Sequence, residues 1–231
     1  MNRFLPTMLS SVPDHVDLLE SLRLGARVIY DSPTAILIDQ DEVYMMAATD
    51  DDSALEALAH LPDKVDLVVV HNEVALDYLA RRYGLEHGGR CVQVMYDRPE
   101  PMPSAGRLVI AHPRPEDWDA VRTHYDLVTE EQLYDHFCSE DFFCGYYEGR
   151  LAGFAGLHSE GAMGMLFVFP EFRRMGFGEE LVAHTVNRQR SLGRYAYAHV
   201  FAENEASLAL QRKMGMTFSR GNVWWLWREE E

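Results

Sequence analysis

The stretch Leu166–Leu181, Leu-Phe-Val-Phe-Pro-Glu-Phe-Arg-Arg-Met-Gly-Phe-Gly-Glu-Glu-Leu, constrains this chain more than any other. An apolar run closes at Val168 and Pro170 interrupts it. Beyond Gly176 and Gly178 the apolar residues recur at helical spacing. That succession predicts a buried strand, a tight basic turn and a helix beginning near Phe177. The first amides of a helix have no intrahelical acceptor and point beyond its end. Glycine lets a ligand approach the backbone, because no Cβ stands in the way. A turn carrying Arg173, Arg174, Gly176 and Gly178 into a helix is therefore an anion site that suits a diphosphate.

The spacing excludes two other phosphate loops. There is no Gly-x-x-x-x-Gly-Lys-Ser/Thr, and no Gly-x-Gly-x-x-Gly with an acidic residue about 20 positions on. Val168-Phe169-Pro170-Glu171-Phe172-Arg173-Arg174-Met175-Gly176-Phe177-Gly178 instead resembles the acyl-CoA loop of the GNAT-type N-acyltransferases, Val-x-Pro-x-x-Arg/Gln-x-x-Gly-x-Gly/Ala. A later stretch, Asn204 to Lys213-Met214-Gly215-Met216, is similar to that family's second motif, and the resemblance spans roughly 107–229. It implies an α/β (α+β) fold with a mixed central sheet flanked by helices. Acetyl-CoA is the implied cosubstrate. Its pantetheine arm would lie on Leu166, Phe167 and Val168, and its diphosphate on Arg173, Arg174, Met175, Gly176, Phe177, Gly178 and Glu179. Asn204, Ser207 and Gln211 would complete the site from the last helix. No metal is implied.

The implied chemistry is N-acetyl transfer to a primary amine by direct attack in a ternary complex, which needs a base for the ammonium. His158 and Glu160, before the first strand of the site, are both candidates. Many relatives place a tyrosine in the last helix to protonate the leaving thiolate. This chain has Gln211 there, so Tyr195, Tyr197 or solvent must substitute. The same departure supports an alternative, a non-catalytic acyl-CoA-binding or sensing protein. The implied acceptor is the amine of a small molecule or amino acid, as in the glycine N-acyltransferase-like group, and a homodimer is the assembly to look for.

The rest of the chain sets the organisation. A chain 47% hydrophobic and 25% charged can bury a core. A net charge of −16 argues against nucleic acid or an anionic membrane as partner. No run approaches a membrane span or a signal peptide, and Cys91, Cys138 and Cys144 are too few for a disulfide framework, so a cytoplasmic protein is expected. His136, Cys138 and Cys144 lack the fourth ligand of a structural zinc.

Arg98–Gly106, with three prolines, reads as a linker with little to bury and places a boundary between 1–104 and 105–231. Residues 1–104 carry 8 Lys/Arg against 18 Asp/Glu. They read as an α/β half resembling a smaller or degenerate copy of the second. Asn72-Glu73-Val74-Ala75-Leu76 to Gly84 echoes Asn204-Glu205-Ala206-Ser207-Leu208 to Gly215, but no Arg-x-x-Gly-x-Gly precedes it. The chain is expected to close with two strands, Met216–Ser219 and Val223–Trp227. The three tryptophans of the second read as strand packing, with a substrate wall as the other possibility.

Overall fold

A computed structural model describes residues 2–125 and 128–228. The first half runs α1 (Leu5–Ser10), α2 (Val16–Leu24), β1 (Arg27–Asp31), β2 (Ala35–Gln40), β3 (Val43–Ala48), α3 (Asp51–Leu58), β4 (Leu67–Val70), α4 (Val74–Tyr83) and β5 (His87–Met95). The second half runs β6 (Val109–Ala111), α5 (Trp118–His124), α6 (Glu130–Phe137), β7 (Phe142–Tyr147), β8 (Arg150–Leu157) and β9 (Met163–Val168). It continues with α7 (Phe177–Ser191), β10 (Tyr197–Phe201), α8 (Glu205–Lys213) and β11 (Thr217–Trp227).

Local signals set the boundaries. Asp50 caps α3 by accepting the Ser53 amide at 2.8 Å. Thr129 and Gln132 form a capping box on α6. Gly25 and Gly84 end α2 and α4 in the left-handed region. In β2, Ala35 and Leu37 pack with α3 and α4, while Ile36 and Ile38 pack with α1 and α2. A strand covered on both faces needs this unbroken apolar run.

Two sheets form, ordered β1-β2-β3-β4-β11-β5-β10 and β6-β7-β8-β9. The halves exchange their last strands. β11 pairs with β4 of the first half, β5 pairs with β10 of the second, and β5 and β11 pair with each other. The two closing strands expected at the C-terminus are one strand, β11, whose register on β5 slips between Phe218 and Asn222. Bulge residues read as a break in a sequence, because they interrupt the alternation without ending the ladder.

The halves differ where β-strands meet. β3 and β4 are hydrogen-bonded in parallel, Tyr44 opposite Val68 through Met46 opposite Val70. Asn72 closes the end of that junction, its side-chain amide bonding both the N–H (2.9 Å) and the C=O (3.2 Å) of Ala48. β9 and β10, by contrast, fall in different sheets and share no ladder among the described residues. The first half is thus shut where the second is open.

Arg98–Gly106 is a strap rather than an empty linker. Met102 is buried against α7, and both its N–H and its C=O bond the Asn187 side chain at 2.8 Å. Arg190 holds the carbonyls of Pro99 and Glu100. At the end of the strap, buried Glu180 in the first turn of α7 accepts from the backbone N–H of Arg107 (2.7 Å) and Leu108 (3.0 Å) and from Arg107 Nε (2.9 Å). Glu180→Ala leaves two amides without their acceptor and is expected to cost about 3 kcal/mol in urea unfolding. Arg107 is half-exposed and recovers water, which keeps the loss below that of a fully buried pair.

Candidate functional site

β9 ends at Val168, and a single 3-10 turn, Pro170–Phe172, leads into the basic loop. Arg173 is extended, its Nε donating to the Val168 carbonyl at 3.0 Å and its guanidinium 5.5 Å from the Phe167 ring. Arg174 and Gly176 are left-handed, φ 63° and 82°. That reversal aims the chain into α7 with no side chain capping its first amides. Arg173, Arg174 and Met175 are exposed around this helix end. The Phe177 side chain lies in the core against Tyr147 and Phe172, so it offers only its amide. Glu179 pairs with Lys213 of α8.

Arg107, 69 residues upstream of Gly176, braces this loop. Its guanidinium bonds the Met175 carbonyl, and its centre lies 5.0 Å from the Phe177 ring. Nothing in its sequence context marks it, because the contact depends on the strap lying along α7.

Among the described residues β9 hydrogen-bonds only β8, and on its other side it lies near β10 without a ladder between them. Met165, at φ 52°, interrupts the register with β8 between Phe154 and Gly156. At the far end of the gap Asn204 caps α8 by accepting the Ser207 amide at 3.0 Å. Gln211 is buried, and its Oε1 has no partner among the described residues. α7, α8 and β9 converge at Gly178, where a Cβ would touch Leu210 and Val168 at 3.6 and 3.7 Å.

The catalytic candidates lie at the opposite end of β9. The tight turn between β8 and β9 is closed by His158 N–H to Ala162 C=O and Gly161 N–H to His158 C=O, both 2.9 Å. Tyr197 on β10 is wholly buried and donates its hydroxyl to the Glu160 backbone carbonyl at 2.9 Å. Gln189 of α7 holds the Gly161 carbonyl at 2.9 Å. The structure thus brings Glu160 and Tyr197 together, with His158 in the same turn.

Their charge states separate them. Glu160 is 3% exposed and its Oε1 has no partner among the described residues, so burial pushes its carboxyl up to about 7. Burial pushes His158 down to about 4, where the ring is a weak base. Burial raises the Tyr197 hydroxyl far above the usual phenol range, which leaves it a hydrogen-bond donor rather than a source of protons. Cys91 and Cys144 are buried thiols pushed up to about 12, so neither is a ready nucleophile. Among the described residues no three His, Cys, Asp or Glu side chains converge as metal ligands, and no helix is long and apolar enough to cross a membrane. Trp224 packs in the first-half core and Trp227 is exposed.

Residues 109–216 match the model of the acetyltransferase (GNAT) family. The chain carries a GNAT acetyltransferase domain. Solved structures share its two-lobed fold beyond that domain. A Drosophila protein matches with TM-score 0.62 at 19% identity over 84% of this chain and 73% of its own. A putative GNAT-family acetyltransferase from Novosphingobium aromaticivorans matches with TM-score 0.57 at 17% identity, over 94% and 97%. A GCN5-related N-acetyltransferase from Kribbella flavida matches with TM-score 0.55 at 12% identity, over 94% and 95%. No curated protein matches the chain.

Proposed function

We propose that this GNAT domain is an acetyl-CoA-dependent N-acetyltransferase, acting by direct attack in a ternary complex on a primary amine of a small molecule or amino acid. The observation that carries the reading is the unpaired gap between β9 and β10, with an uncapped basic helix end beyond one end of β9 and Glu160 beyond the other. The six residues of β9 span about 20 Å, which suits an extended arm bonded to the strand edge. The free edge of β9 would take the pantetheine as an added strand. The amides of Phe177, Gly178 and Glu179, with Arg173 and Arg174, would take the diphosphate. Asn204, Ser207 and Gln211 flank the arm. A cytoplasmic setting supplies the cosubstrate.

Glu160 is the base in this reading. It accepts a proton from the acceptor ammonium, the freed amine attacks the thioester carbon, the C–S bond breaks, and the nitrogen gives up its second proton to solvent. The thiolate leaves unassisted or takes a proton from solvent, since Gln211 has none to give and Tyr197 is committed to the Glu160 carbonyl. Holding amine and thioester together supplies up to about 7–11 kcal/mol of the acceleration in well-oriented systems.

Gln211 also favours the second reading, an acyl-CoA sensor. Calorimetric titration with acetyl-CoA, followed by thiol release across a panel of amines and amino acids, decides between them. Binding with release supports the transferase, and binding with an intact thioester supports the sensor. Absence of binding to acetyl-CoA, CoA and longer acyl-CoAs removes both.

A further inference from the structure

Behind the Glu160 turn, α2, β4, β5, β10 and β11 enclose a polar interior. Asp17 of α2 is completely buried; its Oδ1 accepts the Leu18 amide and its Oδ2 lies 2.8 Å from His71 Nε2, just after β4. Oδ2 also lies 3.6 Å from Nε2 of His199 on β10. Gln93 of β5 donates Nε2–H to the Asp14 carbonyl at 2.9 Å, which turns its Oε1 toward the Asp17 amide (3.3 Å) and His199 Nε2 (3.4 Å). On the other side of the ring, Trp225 of β11 donates its indole N–H to His199 Nδ1 at 2.9 Å.

Two independent bonds therefore assign one tautomer. Nδ1 accepts from an indole that can only donate, so it carries no proton. Nε2 faces two acceptors, so it does. A second proton on the ring would set Nδ1–H against the indole N–H and leave that donor without an acceptor.

We propose that Trp225 is a positioning residue of the acyl-transfer site: its indole N–H holds His199 as an uncharged Nε2–H ring and so keeps a positive charge away from Glu160. The functional meaning rests on Glu160 being the base. Around Glu160 and His199 stand Asp17 and Glu20 on α2, His15 and Asp14 before it, His71 after β4, His158 in the turn and Tyr197 on β10. A charge gained at His199 would favour the Glu160 carboxylate and weaken it as a base at neutral pH. The tryptophan thus has a task beyond strand packing, exerted from the half of the sheet that the strand exchange brings alongside β10.

Nitrogen-15 NMR of histidine-labelled protein reads the tautomer, and carbon-13 NMR of the Glu160 carboxyl, assigned with Glu160→Gln, reads its titration. Neither needs an acceptor substrate. In wild type at neutral pH, His199 should show bare Nδ1 and protonated Nε2. In Trp225→Phe that nitrogen pattern should be lost at neutral pH, and the Glu160 midpoint should fall by about one pH unit. In a His199→Gln background the same change should leave the Glu160 midpoint where that background has it. A wild-type His199 protonated on Nδ1 overturns the proposal, with or without a folded variant, and so does a Trp225→Phe protein in which neither signal moves. Glu160→Gln with undiminished thiol release would sink the base assignment instead, leaving the tautomer result standing.

Discussion

Glu160→Gln should lower kcat for amine-dependent thiol release by about 10²–10⁴-fold, the range for loss of a general base, while acetyl-CoA still binds. The amide keeps the shape of the side chain but cannot take a proton. The wild-type kcat/KM should rise with pH through a midpoint near 7, where burial holds the carboxyl. That limb should vanish in the variant. A limb near 4 would point to His158, which burial pushes down to about that value. An unchanged rate in Glu160→Gln would exclude Glu160 as the base.

The same substitution should stabilise the fold, with a pH dependence whose sign follows from the raised carboxyl. Below 4.5, the ordinary value of the group, the side chain is protonated in both folded and unfolded chains and the variant gains nothing. Between 4.5 and about 7 the unfolded chain ionises first, which draws the protein toward unfolding. Above that window the penalty is constant at roughly 3 kcal/mol, taking 1.36 kcal/mol per pH unit. Urea denaturation at pH 4 and pH 8 should therefore show no advantage and an advantage of that order. A carboxylate kept at such cost, without an ion-pair partner among the described residues, is better explained by chemistry than by stability.

Gly176→Glu should weaken acetyl-CoA binding by about 100-fold or more in calorimetric titration while leaving the protein folded. The position is left-handed at φ 82°, and any side chain there meets Arg107 Nη2, 2.9 Å from the Cβ position. Glutamate also sets a carboxylate at the helix end that would receive the diphosphate, opposing the ligand's charge where the dipole and the amides would attract it. Gly176→Ala separates the two effects: it carries the backbone strain, about 1–2 kcal/mol, without the charge, and should lose much less affinity. Equal losses would mean that loop geometry, not electrostatics, governs binding. Full affinity in Gly176→Glu would place the ligand elsewhere.

The basic loop was legible because its determinants are adjacent in the chain. Pro170 stops β9, Gly176 supplies the left-handed turn, and Phe177 starts α7 within a few residues of one another. Order and type of most other elements follow for the same reason: caps, terminal glycines and apolar periods act over one or two turns. β11 read as two strands because the residues around Gly221 break the alternation, and only pairing with β5 carries the strand through.

Glu160 was legible as a candidate but indistinguishable from His158, since both occupy one short turn. What separates them is the packing of β10 and α7 against that turn, through Tyr197 and Gln189, and those contacts span 28 to 37 residues. The longer the separation, the less was visible. Arg107 on Glu180 spans 73 residues, Asp17 on His71 spans 54, and Gln93 on His199 spans 106.

Near neighbours in the chain fix the strand–loop–helix unit, the residue types at its ends and the succession of elements, because backbone sterics and hydrogen bonding at those points are local. Only long-range packing makes β9 and β10 stay apart while β3 and β4 close, makes the halves trade strands, binds the proline-rich strap, and buries the Glu160 carboxyl with its Oε1 unpartnered among the described residues. Those outcomes depend on strand pairing and desolvation, which follow from where distant segments come to rest, and an apolar run is compatible with many partners until one covers it.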